Sequence, residues 1–121
     1  MIAQRIYEKI SLITSVNSAV NGNIFLGEQP ENTPKPFIVY AFNGSTPIKT
    51  LTGNSNLKSE IWTVKLTGSD YSALDSIKDT LIDEFNSERA NFTATLSDID
   101  IDKDRQADLD HFTLYFQIHF Y

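Results

Sequence analysis

Four carboxylates stand at every second position in Asp98, Asp100, Asp102 and Asp104. Oxygen ligands in that number are what Ca²⁺ or Mg²⁺ would need. Tested as an EF-hand loop, the run fails from either start. From Asp98, the glycine position holds Lys103 and the bidentate glutamate position holds Leu109; from Asp100, those places hold Arg105 and His111. On an extended strand the same carboxylates share one face. The run therefore reads as a solvated strand edge entering a hairpin turn, where in-line charge discourages edge-to-edge pairing.

Other chemistry finds less support. His111 and His119 fall eight residues apart on one face of one strand, about 26 Å in a regular strand, too far to share a metal within a subunit. No serine lies in a G-x-S-x-G elbow, and there is no Walker loop, G-x-G-x-x-G or H-E-x-x-H. Two carboxylates meeting in space remain the one route to acid–base catalysis that the sequence leaves open. The chain is expected not to be an enzyme, with no metal and no cofactor.

The composition points the same way. Sixteen acidic against 10 basic residues give a formal charge of -6. That balance offers no general attraction to nucleic acid or an anionic membrane, and suits solubility or a partner with a basic face. There is no cysteine, which removes disulfides and thiolate chemistry. Glu8 and Lys9 interrupt any signal-like apolar run, and no stretch is long enough to span a bilayer. The 121 residues fit a single domain, 1–121. Eight Phe, five Tyr and one Trp, with few basic residues among them, read as core packing rather than a nucleic-acid stacking platform. Tyr115, His119 and Tyr121 form an outward set, either a partner surface or cross-strand pairing on a part-exposed sheet.

The elements that must hold these residues follow from periodicity. Ile2, Ile6, Ile10 and Ile13 stripe one helix face, with a stop and loop over Asn17 to Asn23. Ile24 to Leu26 is a brief strand, and three prolines keep Gly27 to Pro36 irregular. Phe37 to Phe42 reads as a strand buried on both sides, or as an interior strand under a helix. Asn43 to Asn56 is a long polar loop, a length that tends to be functional. Glu60 to Thr67 puts Trp62, Val64 and Leu66 on one face. Ser69, Asp70 or Ser72 caps a second helix striped by Tyr71, Leu74, Ile77 (or Lys78), Leu81 and Phe85. Phe92, Ala94 and Leu96 alternate, and the phase switch to Ile99 and Ile101 predicts a bulge near Ser97-Asp98. Asp102 to Asp110 is a charged turn, and Phe112 to Phe120 alternates without a break. The fold class is α+β, a mainly antiparallel sheet packed against two helices, in the order α-β-β-β-α-β-β.

The chain resembles the tail-completion (tail terminator) proteins of long-tailed bacteriophages and prophages. The resemblance rests on Ile24-Phe25-Leu26-Gly27, then Pro30, then Pro36-Phe37-Ile38-Val39-Tyr40, the Trp-containing strand Ile61 to Leu66, and the last strand, Leu114 to Tyr121. The acidic segment Asp98 to Asp110 departs from that pattern. The resemblance implies a structural protein that caps the tail tube as a homo-oligomer, a hexameric ring, and presents the surface for head–tail joining. It implies a tail tube protein and head–neck connector proteins as partners, and a place at the head-proximal end of the tail in the virion after assembly in the host cytoplasm. A monomer in solution would order its loop on docking, with Ile48, Lys49 and Leu51 as anchors. No specific nucleic-acid binding is expected. Three other readings stay open: another neck component, a small acidic module that inhibits a basic partner, and a hydrolase with motif-free carboxylates.

Overall fold

The computed structural model describes residues 2–46, 58–90 and 92–120. Helix α1 (Ile2–Leu12) buries Ile2, Ala3, Ile6 and Ile10, the expected stripe. A second helix, α2 (Thr14–Ala19), follows at once, where the sequence pattern suggests only a stop and a loop. The observed order is therefore α-α-β-β-β-α-β-β, one helix more than expected. The six residues of α2 are mostly Ser, Thr and Asn, which compete for backbone hydrogen bonds and rank low as helix formers. Burial of Val16 and Val20 holds the turn in place. Asn21 and Gly22 then take positive φ (53° and 73°) and reverse the chain into the sheet.

The sheet comprises β1 (Ile24–Leu26), β2 (Phe37–Thr46), β3 (Lys58–Gly68), β4 (Thr93–Asp104) and β5 (Leu109–Phe120), in the spatial order β1-β2-β3-β5-β4. All neighbours are antiparallel except β1 and β2, which run parallel. They are not a hairpin, because the segment 27–36 carries the chain back along the sheet before β2 begins. Strand β2 continues to Thr46, so the polar stretch expected to be loop from Asn43 starts as strand. Residues 47–57 lie outside the described residues.

Helices and sheet meet over one face. Helix α3 (Tyr71–Ser87) is capped by Asp70, whose side chain accepts from Ala73 N at 3.3 Å. It buries Leu74, Ile77, Leu81 and Phe85 against Phe112, Leu114, Phe116 and Ile118 of β5. Phe85 stacks on Phe116 with centroids 4.7 Å apart. The Lys9 ammonium, 3.2 Å from Glu84 and 3.0 Å from Glu88, ties α1 to the end of α3.

Strand β4 shifts register between Leu96 and Asp98, at the expected bulge, and Ser97 Oγ donates to the Tyr115 carbonyl at 3.0 Å. The shift keeps Leu96, Ile99 and Ile101 on the helix side opposite Phe116, Leu114 and Phe112. The charged turn is tighter than expected: only residues 105–108 separate the two strands. Asp104 Oδ1 accepts from Gln106 N and Ala107 N there.

Candidate interaction face

The side of the sheet away from the helices carries the residues singled out for function. Register places them in rungs across β2, β3, β5 and β4. One rung is Phe37, Thr67, His111 and Asp102; the next is Val39, Lys65, Thr113 and Asp100; the third is Ala41, Thr63, Tyr115 and Asp98. Tyr115 and His119 both lie on this face and are half-buried. His119 stands between Ser59 and Thr93. Tyr121, the third member of that set, falls outside the described residues, as do Ile48, Lys49 and Leu51.

The acidic run splits by position. Asp98, Asp100 and Asp102 form an exposed column along the edge strand, while Asp104 begins the turn. Two of these carboxylates cover backbone donors of their own strand: Asp98 Oδ1 accepts from Ile99 N and Asp102 Oδ1 from Lys103 N, both at 2.9 Å. A sheet edge left bare is a template for unwanted pairing, and these contacts blunt it. Among the described residues, no three His, Asp or Glu side chains gather as a metal-binding group.

A groove of about 460 Å³ opens on the same face. Its floor is Phe37, Val39, Lys65, Thr67 and His111, and its wall is the segment 27–36, with Pro30, Glu31 and Lys35. This segment explains why Phe37 and Val39 are buried (5% and 9% exposed) although, among the described residues, no helix covers the sheet there. Burial on both sides ends at Tyr40; Phe42, on the helix side, is 54% exposed. His111 Nδ1 lies 3.0 Å from Thr67 Oγ1 in a hydrogen bond. Burial, and then the nearby Lys65 ammonium, hold His111 below its ordinary pKa, while Asp102, Asp104 and Asp110 pull the other way. The side chains of Lys35 and Lys65 make no hydrogen bond or ion pair among the described residues.

Sequence reasoning finds the acidic column and the outward aromatics, because period two fixes their face. It misses the groove and its two lysines. Lys35 and Lys65 are thirty residues apart in the chain, and only the path of 27–36 brings them to one cleft. It also misses the aromatic row Tyr7, Tyr40, Trp62 and Phe42, with ring centroids 5.8 to 6.5 Å apart. Tyr7 and Phe42, the two ends of this row, are exposed.

Among the described residues, no helix is long and apolar enough to cross a membrane. No protein-family model and no curated protein matches the chain. Among solved structures, a chain from a structure titled "Virion of native gene transfer agent (GTA) particle" is similar. The match covers 95% of this chain and 90% of that one, with a TM-score of 0.72 at 9% sequence identity. At that identity the likeness is one of fold.

Proposed function

We propose that the chain is a structural virion protein that completes a phage tail, capping the tail tube as a ring and presenting the surface on which the head is joined. The observation that carries this reading is the fold shared, over almost the full length of both chains, with a chain of a virion particle. A broad sheet face without helices on it supplies the contact area such a role needs. In this reading the chain acts by contact rather than by turnover, and its partners are the tail tube protein, the head–neck connectors and further copies of itself. The segment that holds Ile48, Lys49 and Leu51 joins two strands of the sheet and is assigned to docking.

Assembly with the chain withheld tests the role. Free filled heads and free tails are expected, with joining restored when purified chain is added. Joined particles formed without the chain overturn it. Changing Ile48, Lys49 and Leu51 together to Ala is expected to leave the melting temperature of the chain unchanged and to abolish joining. The column Asp98, Asp100 and Asp102 favours a second reading, an acidic module that binds a basic partner. That reading requires a stoichiometric complex whose association rate falls steeply with salt.

A further inference from the structure

We propose that the groove walled by segment 27–36 receives the acidic β4 edge of a second copy of this chain, so that copies join head-to-tail. The proposal deepens the ring reading, on which it relies for closure of the assembly but not for the contact itself.

Charge distribution carries it. The chain is formally -6, so two copies repel unless they meet where charge is locally reversed. The groove is such a place. Its charged lining residues are Lys35 and Lys65 against the single acid Glu31, and both lysine side chains lack an ion pair among the described residues. The complementary feature lies on the neighbouring edge strand, β4. The Asp100 side chain is exposed and has no hydrogen bond or ion pair among the described residues. Asp98 and Asp102 on either side of it add negative charge.

Shape decides between head-to-tail and face-to-face pairing. The groove is concave because 27–36 stands above the sheet face, which hinders a flat face from meeting its own copy. Strand β4 is the outermost strand and its turn, residues 105–108, is exposed. The groove floor ends at His111 and the acidic edge begins at Asp102 on the next strand; a contact that seats one of these patches on the other is heterologous, the kind that builds rings or chains. The groove is small beside the roughly 800 Å² per partner of a stable interface, so the contact forms at high local concentration, as on a tube end, and not in dilute solution.

The native chain has no cysteine, which makes cross-linking clean. A chain carrying both Lys35→Cys and Asp104→Cys, oxidised at high protein concentration, is expected to give a ladder of dimers, trimers and larger species. Each single variant is expected to give no ladder. A product that stops at the dimer, or no cross-link from the double variant, overturns the proposal. Lys65→Glu and Asp100→Lys, both at exposed positions, provide the second measurement. Each alone is expected to lower self-association at least tenfold, and a mixture of the two to restore it. No change from either single substitution also overturns the proposal. Electron microscopy of the same samples separates the two ideas. Closed rings without the ladder remove the groove contact and leave the ring reading standing. A ladder of open filaments keeps the contact and removes the ring.

Discussion

Lys65 and Asp100 stand on the same rung of the sheet, with Thr113 of β5 between them. Two strand spacings, about 10 Å, keep them apart, and neither finds an ion-pair partner among the described residues. Opposite charges held on one face at that distance serve contacts outside the chain better than contacts within it. The rungs on either side carry Asp102 and Asp98 on β4, Thr67, His111, Thr63 and Tyr115 on the central strands, and the apolar Phe37 and Ala41 on β2.

Stability of the face depends on the core beneath it. Phe116 is fully buried, stacks on Phe85 and lies opposite Trp62 and Leu96. Phe116→Ala removes that ring and leaves a cavity, at a cost of about 3–5 kcal/mol. Urea unfolding is expected to show this as a lower midpoint with an unchanged slope.

The cap of α3 is a smaller and separable contribution. Asp70 accepts from the Ala73 amide at the helix start. Asp70→Ala is expected to cost about 1 kcal/mol, and Asp70→Asn much less, because the amide oxygen can still accept. Equal losses from both variants would assign the effect to charge instead of capping.

The environment of His111 gives a pH dependence of definite sign. Its folded pKa lies below the ordinary 6.5, first through burial and then through Lys65. The folded state therefore binds the proton less readily than the unfolded chain. Its contribution is present above 6.5 and is lost as pH falls through the lower folded value. Thermal melts across this range are expected to show stability falling with acidification, by less in His111→Gln than in the parent. An identical pH profile in the variant would remove His111 from the explanation.

The edge strand offers a test of its own carboxylates. Asp98 and Asp102 cover the Ile99 and Lys103 amides. Replacing both with Ala bares these donors and removes two charges. The double variant is expected to scatter light in high salt, where head-to-tail charge contacts are screened. A double variant as dispersed as the parent would mean that the edge is protected in another way.

What the sequence discloses depends on how far its signal repeats. Strand β5 alternates over twelve residues, so its faces can be read directly, and α3 repeats its apolar stripe over four turns. The switch from Leu96 to Ile99 reveals the bulge, because a one-residue slip flips every later side chain. Helix α2 is hidden because it has only two apolar residues on a backbone of weak helix formers. The groove is hidden for a topological reason. Parallel pairing of β1 with β2 sends 27–36 over the sheet, and no local pattern in that proline-rich stretch shows where it comes to rest.

Position in the particle is the property on which everything else depends. Antibodies raised against the chain, applied to assembled particles and imaged by electron microscopy, read it directly. Label confined to the junction of head and tail is the expected result. Label along the tail, at its far tip, or absent from the particles would remove the tail-completion role.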